Sequence, residues 1–341
     1  MAFDWGADIV RRAIVANQNQ KKKIYPLGVQ TALSNVTTAH YYGAVKDYAI
    51  LAGGQSNSST PLLFANGYNV DLVRSIISSL SSARRDGASA FSKAHCLFAG
   101  GRLSGTTAVV VSVECFDNNL VKTALADLSN GRFGFFGVFD GSHYIFAGGR
   151  IDASSSIGVS HTDAFDLNLT KVTIPALSSP RIATAGVKCG NRSLFMGGHN
   201  NNVDSPSVDV YDENLILSAA PNLPLAGTGR GASNHNFAYF ANHQQTAMYD
   251  KNLIMTSIDK LDPARSSLGT TSNDDFAVFA GGLNISRFAN IESFDINGVK
   301  EVQSPLSQAR VTVGANVGNK FIFAGGDNGT AQSTVDAYEI K

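Results

Sequence analysis

A short apolar stretch that ends in two glycines recurs along the chain, and it constrains the fold more than any other feature. Its clearest copy spans residues 321–326, and five earlier copies end at Gly54, Gly101, Gly149, Gly198 and Gly282. A seventh copy ends at Asn242, where both glycines are lost. The copies recur about every 45 residues, a period typical of a β-propeller or a similar array. One such unit cannot bury both of its faces, so the copies must pack against one another.

Each unit follows the same four-part order. A first strand of small residues, such as 185–187, precedes the apolar strand that ends in Gly-Gly. A third strand alternates acidic and aromatic residues and closes with Asp or Glu, as in 208–212. A tight turn and a more polar fourth strand follow, because Asp and Asn favour the backbone of such turns. The pattern predicts four-stranded antiparallel sheets.

Seven units begin in this way, but the last one stops at Lys341 directly after its third strand. Residues 23–33 have strand character and precede the first unit, so we expect them to supply the missing outer strand. Pro26 suits an outermost strand, because the backbone groups along the outer edge of that strand have no neighbouring strand to bond. Closing the ring in this way removes free strand edges. The sequence predicts an all-β fold, a seven-bladed propeller over residues 23–341.

Residues 1–22 lie outside the repeat and predict a short amphipathic helix followed by a polar linker. Asp4 can cap the helix, which we expect to end near Asn17. Its apolar side chains are Phe3, Trp5, Ile9, Val10 and Ile14. This helix could pack on its own propeller or anchor the chain to a partner. We favour the anchor, either to other subunits of a larger particle or to further copies of the same chain.

Composition excludes several classes of partner. The chain has 341 residues, a formal net charge of +0 and only 16% charged residues. Non-specific nucleic-acid binding and attachment to anionic membranes both need an excess of basic residues. No apolar run is long enough to cross a bilayer, and the N-terminus lacks the order of a signal peptide. We therefore expect synthesis in the cytoplasm, no membrane insertion and no nucleic-acid partner.

The repeat resembles that of the kelch β-propellers. The resemblance rests on the Gly-Gly pair, the acidic–x–aromatic–Asp third strand and an Arg before six of the seven first strands, and it covers about residues 23–341. It implies four-stranded blades closed by a terminal strand. One departure concerns the Trp that kelch repeats carry on the fourth strand. Its place is taken here by Leu120, Leu169, Leu215, Leu253 and Val299.

A narrower resemblance concerns the turn at residues 166–169 and the sequence of residues 313–321. Both are similar to kelch-like repeats in tail-associated proteins of phages, prophages and phage-tail-like particles. This resemblance implies a receptor-binding or fibre protein of a virion or tail-like particle. An anchor helix ahead of a binding head would suit that location.

The sequence contains no recognisable catalytic constellation. Each Gly-Gly pair closes a strand and does not open a phosphate-binding helix, and the seven histidines lack metal-ligand spacing. Kelch-like copper oxidases need a Cys crosslinked to a Tyr, whereas all three cysteines here fall within strand patterns. The sequence predicts no metal, no cofactor and no enzymatic activity. The alternative is a carbohydrate-active or copper-oxidase-like enzyme with its site in the central channel.

Two sets of residues are candidates for ligand binding. Six arginines precede first strands and should surround the axis on one face, where they either pair with acids of the third strands or bind an anion. Loops after the second strands should lie on the same face, and loops on a rigid scaffold commonly carry function. The arginines are Arg84, Arg132, Arg181, Arg230, Arg265 and Arg310, and the loop candidates are Arg102, Arg150, His199, Asn200, Asn201, Arg287 and Asp327.

These features together favour a non-catalytic recognition module. We expect it to contact a host-surface glycan or protein through the loops of one propeller face. An intracellular protein–protein adaptor is the alternative. Adaptor propellers of this type usually carry an additional recruiting domain, for which 22 residues are too few.

Overall fold

The computed structural model describes residues 22–31, 41–55, 60–103, 108–182 and 184–341. The helix predicted for residues 1–22 therefore lies almost wholly outside the described residues, as do residues 32 and 33 of the predicted closing strand. No helix occurs in the part of the chain that the structure describes. That part accordingly contains no helix able to cross a membrane.

Seven antiparallel sheets of four strands, here called blades, make up the described chain. In blades 1–6 the strands are ordered along the chain from the axis outward. The strands are β2 (Tyr41–Val45), β3 (Tyr48–Ala52), β4 (Ala65–Asn69) and β5 (Arg74–Ile76) in blade 1; β6 (Ala88–Phe91), β7 (His95–Ala99), β8 (Val113–Asp117) and β9 (Lys122–Ala124) in blade 2; β10 (Phe136–Phe139), β11 (Tyr144–Ala147), β12 (Thr162–Phe165) and β13 (Lys171–Val172) in blade 3; β14 (Ala185–Cys189), β15 (Arg192–Met196), β18 (Val208–Tyr211) and β19 (Leu217–Ala219) in blade 4; β20 (Arg230–Ser233), β21 (Phe237–Ala241), β22 (Thr246–Asp250) and β23 (Met255–Ile258) in blade 5; and β24 (Gly269–Ser272), β25 (Ala277–Ala280), β26 (Ile291–Phe294) and β27 (Lys300–Gln303) in blade 6. A small hairpin of β16 (His199–Asn200) and β17 (Val203–Asp204) extends from blade 4.

Blade 7 joins the two ends of the described chain. It contains β28 (Val311–Val317), β29 (Lys320–Asp327), β30 (Thr334–Ile340) and, outermost, β1 (Ile24–Thr31). Strand β1 pairs antiparallel with β30 from Ile24 opposite Ile340 to Thr31 opposite Thr334, with an irregularity after Pro26. The amide of Lys23 also donates to the carbonyl of Lys341 at 2.8 Å. The predicted seven blades and their closure by an N-terminal strand are confirmed.

The hydrophobic core is divided among the junctions between blades. Alternate residues of each second strand face opposite neighbours, because side chains alternate along a strand. In blade 1, Ile50 packs with Phe98 and Phe116 of blade 2, while Leu51 packs with Ile322 of blade 7. All five side chains are at most 1% exposed. The second strands are therefore apolar on both faces, as the sequence indicated.

The Gly-Gly pairs are required by close backbone contacts at the junctions. Gly100 has φ of +58°, and a Cβ there would lie 2.7 Å from the carbonyl oxygen of Arg132 in blade 3. Its neighbour Gly101 donates its amide to that same oxygen at 2.8 Å. The arrangement recurs between blades 3 and 4, where Gly149 donates to Arg181 at 2.9 Å. Only glycine accepts both this backbone conformation and this approach.

The turns between third and fourth strands lie at the opposite end of the propeller, which we call the turn face. We call the Gly-Gly end the loop face. In blade 2 the Asp117 carboxylate accepts from the amides of Asn119 and Val121, both at 2.8 Å. Leu120 consequently adopts a left-handed conformation, φ 61°, which is unusual for a bulky residue.

This left-handed leucine recurs in five blades and corrects the expected equivalence with the kelch Trp. Leu72, Leu120, Leu169, Leu215 and Leu253 all have φ between 61° and 63° and precede the fourth strand instead of lying on it. In blade 6 the matching residue is Gly298, φ 78°, and not Val299. The leucines stay partly or fully buried between blades, and Leu215 is 9% exposed. Burial of the side chain thus offsets the strain of its backbone.

The turn predicts a graded response to substitution of its Asp. Asp166→Ala removes the carboxylate oxygen that accepts from two turn amides, at 2.9 and 2.8 Å, and should lower the free energy of unfolding by about 1–2 kcal/mol. Asp166→Asn should cost less than half of that, because Asn69 accepts the same two bonds in blade 1. Chemical denaturation measures both variants, and equal losses for Ala and Asn would contradict this account.

Candidate functional site

Five of the six candidate arginines are buried inside their blades. Each has 0% exposed surface and pairs with a carboxylate on the third strand of the same blade. The pairs are Arg84–Glu114 at 2.5 Å, Arg132–Asp163 at 2.7 Å, Arg181–Asp209 at 2.6 Å, Arg265–Glu292 at 2.8 Å and Arg310–Asp336 at 2.8 Å. The expectation that these arginines line a face and bind a ligand is corrected, because none is accessible. Of the two alternatives, the structural pairing applies.

Each pair also connects segments that are distant along the chain. Asp163 accepts from the amide of Ser129 at 2.9 Å and lies 2.8 Å from Lys171 Nζ. Burial would raise the pKa of Asp163, but Arg132 and these donors outweigh it and lower the pKa to about 2. The carboxylate is therefore ionised throughout the neutral range. Its bonds to Ser129 and Arg132 hold the segment that precedes β10 against the third strand of blade 3.

Arg230, the sixth candidate, does not occupy the repeated position. The amide of Gly198 donates to the carbonyl of Gly227, just as the amide of Gly149 donates to the carbonyl of Arg181. Gly227 therefore occupies the position that holds the buried arginine in other blades. Ala247, opposite Phe240, occupies the third-strand position that carries the paired acid in other blades. The amide side chains of Asn242 and Gln245 bond to the segment 225–228 instead. Blade 5 thus lacks both members of the pair, and Arg230 begins its innermost strand.

The innermost strands surround a central channel with a cavity of about 830 Å³. At the loop face, the residue that follows each Gly-Gly pair reaches the wall of this cavity. These six residues, all half-buried, are Gln55, Arg102, Arg150, His199, Leu283 and Asp327. We call this end of the channel the loop-face mouth. Four of the predicted loop candidates, Arg102, Arg150, His199 and Asp327, are brought together there.

Two arginines of the mouth share one aromatic ring. The guanidinium carbons of Arg102 and Arg150 lie 4.8 and 4.7 Å from the ring centre of Phe133. Arg102 also donates through Nε to Asp86 at 2.6 Å. Arg150 donates through Nη1 to the carbonyl of Ser155 at 2.9 Å, while its buried Nε has no hydrogen-bond partner. Burial, with the charge of Arg102, lowers the pKa of Arg150.

Arg230 enters the same end of the channel from blade 5. Its guanidinium carbon lies 5.0 Å from the ring centre of Phe136, the first residue of β10. Its Nη1 is 3.3 Å from the carbonyl of Gly229. Burial lowers the pKa of Arg230. Arginine remains protonated despite such shifts, so Arg230 adds its positive charge to those of Arg102 and Arg150 at the mouth.

The remaining loop candidates make contacts between blades. Arg287 of blade 6 pairs with Asp327 of blade 7 at 2.9 Å. Asn200 accepts from the amide of Gly158 at 2.9 Å, and the amide of Asn201 donates to Ser156 at 2.8 Å. These bonds fix the blade 4 hairpin against the blade 3 loop. Arg287, Asn200 and Asn201 do not line the channel.

Side chains with metal or redox chemistry do not gather in the described chain. No group of three or more His, Cys, Asp and Glu residues there could hold a metal ion. Cys96, Cys115 and Cys189 are free and buried. Burial raises the pKa of Cys115 to about 12 and that of Cys189 to about 11, so neither is a thiolate at neutral pH. The anchor candidates Phe3, Trp5, Ile9, Val10 and Ile14 lie outside the described residues.

Comparison with known proteins supports the fold and goes no further. No family model and no curated protein sequence matches the chain. The solved structure of YjhT is similar, with a TM-score of 0.57 and 13% identity over 90% of this chain and 98% of that one. At this identity the likeness shows the fold alone. The chain is a seven-bladed β-propeller. The kelch resemblance remains a prediction.

The buried pairs predict an asymmetry between single and double substitutions. Asp209→Ala leaves Arg181 buried without its counter-charge and should lower the free energy of unfolding by about 3–5 kcal/mol. The double variant Arg181→Met, Asp209→Leu should lose clearly less, since no uncompensated charge remains. Thermal and chemical unfolding measure both. A double variant as unstable as the single one would contradict a purely structural role for the pair.

Proposed function

We propose that the protein is a non-catalytic recognition module that binds a glycan at the loop-face mouth of its channel. One observation carries the proposal: the position after each Gly-Gly pair is directed to one cavity, from six different blades. The cavity of about 830 Å³ lies within the range of small-ligand sites. Guanidinium groups, an imidazole and aromatic rings suit the hydroxyls and apolar faces of sugars.

The acidic groups at the mouth favour a binding role over catalysis, because each of them forms an ion pair. Asp86 pairs with Arg102, and Asp327 pairs with Arg287. Hydrolysis of a glycoside needs two carboxylates placed on either side of the scissile bond. Here each carboxylate is held by an arginine. The carbohydrate-active enzyme remains the rival proposal, and turnover of a bound glycan would support it.

We further propose a kelch-type receptor-binding protein of a phage tail or tail-like particle. The direction of the chain supports this assignment. Lys22, the first described residue, pairs with Asp275 at 2.8 Å in a turn of blade 6, on the turn face. The segment before it thus joins the propeller at the face opposite the mouth. An anchor there would leave the loop face free to meet a host surface.

Blocking the mouth should abolish binding without unfolding the ring. His199→Trp adds a bulky side chain at the cavity wall, and we expect loss of glycan binding on an array. Glu213→Trp makes the matched change at an exposed turn of the opposite face, and binding should be retained. Thermal unfolding establishes that both variants fold. Retained binding by the His199 variant would place recognition elsewhere.

The anchor proposal predicts that assembly and binding can be separated. The full-length double variant Ile9→Ser, Ile14→Ser removes apolar surface worth about 1.5–3 kcal/mol per side chain when buried against a partner. We expect it to bind glycans as the unaltered protein does but to lose self-association or incorporation into particles. Light scattering and Trp5 emission report the change. A monomer with blue-shifted Trp5 emission, destabilised by the double change, would show that the segment packs on its own propeller.

A further inference from the structure

The charges at the loop-face mouth do not balance among the described residues. Arg102 has Asp86 as its partner, and Asp327 has Arg287. Arg150 and Arg230 have no carboxylate of the described chain within 4 Å. Asp86 and Asp152 act on Arg150 only at longer range. Two guanidinium charges therefore face one cavity without a paired acid.

Maintaining these two charges is costly. Both side chains are partly withdrawn from water, and the lowered pKa of each reflects this burial. An arginine in such surroundings keeps its proton, so it cannot relieve the cost by becoming neutral. The five other arginines of the repeat solve the same problem with an acid in their own blade. Arg150 and Arg230 lack that solution, which leaves the counter-charge to come from a ligand.

The hydrogen-bond donors of these two arginines also favour an anionic ligand. Nη1 of Arg150 donates to the carbonyl of Ser155, and no acceptor of the described chain is bonded to its Nη2. The contacts with the Phe133 and Phe136 rings support the two guanidinium planes from one side. A planar fork held in this way matches the paired oxygens of a carboxylate or a phosphate.

We propose that the loop-face mouth binds an anionic group, a carboxylate or phosphate carried by a sugar, with Arg150 and Arg230 as its counter-charges. The inference rests on the proposed function and specifies its ligand class. The two arginines come from blades 3 and 5, so a ligand that meets both must enter the channel mouth and not lie on the outer loops. Neutral sugars of the same size should bind more weakly.

The test compares three probes of one ring size: glucuronate, glucose 6-phosphate and neutral glucose. Titration calorimetry or saturation-transfer NMR on the full chain should show at least one anionic probe binding about tenfold or more tightly than glucose, since a charge-assisted bond is worth at least that factor. Whether glucuronate or the phosphate binds better identifies the anion. Binding should weaken as salt is raised.

Substitutions assign the effect to the two side chains. Arg150→Gln and Arg230→Gln should each weaken the preferred anionic probe by about tenfold and weaken glucose clearly less. Arg150→Lys keeps the charge without the fork and should recover only part of the affinity. Arg192→Gln removes the same charge at the turn face, where Arg192 donates to Lys251, and should leave binding within about twofold.

The outcomes separate this inference from the proposed function. Equal affinity for glucuronate, glucose 6-phosphate and glucose, with loss of all three in His199→Trp, would overturn the anion site and retain glycan recognition. Anion binding unaffected by both Gln variants would also overturn it. Absence of binding by these probes and by a glycan array would overturn the proposed function and the inference together.

Discussion

The close backbone contact between a Gly-Gly pair and the next blade is the constraint on which the ring depends. The amides of Gly54, Gly101, Gly149 and Gly282 donate to the carbonyls of Arg84, Arg132, Arg181 and Arg310 across four junctions. At three of these junctions a Cβ on the first glycine, Gly100, Gly148 or Gly281, would lie within 2.7 Å of that carbonyl oxygen. Blades packed only by apolar side chains could slide, because hydrophobic contact has no direction. The backbone bond fixes their relative position.

The same arginines connect this contact to the interior of their own blade. The carbonyl of Arg132 binds the preceding blade while its guanidinium binds Asp163. Gly-Gly pair, arginine and acid therefore act as one unit, although they are separated along the sequence. Blade 5 departs from the repeat with Asn242, Gly227 and Ala247, although the amide of Gly198 still donates to the Gly227 carbonyl. Its amide network from Asn242 and Gln245 holds the segment by neutral bonds instead.

Much of this architecture could be predicted from sequence, because it depends on repetition. Seven Gly-Gly or equivalent positions gave the number of blades, and a last unit without its fourth strand required β1. The left-handed leucines could not be predicted, since their strain is offset only by packing against another blade. Burial of the arginines was equally ambiguous: a repeated Arg and a repeated acid fit an exposed ring as well as an internal pair. Arg230 was misassigned because it lies three residues beyond Gly227, which occupies the repeated position.

Recognition in a repeat protein depends on the positions whose side chains differ from one repeat to the next. The Gly-Gly pairs fix the backbone so firmly that the next residue of six blades reaches the channel wall whatever its side chain. Packing does not select Gln55, Arg102, Arg150, His199, Leu283 or Asp327, and their diversity contrasts with the uniform strands behind them. Arg230 adds a further charge from blade 5, which has no internal pair of arginine and acid. The repeat thus determines where a ligand can bind, and the residues that differ between repeats determine which kind of ligand binds.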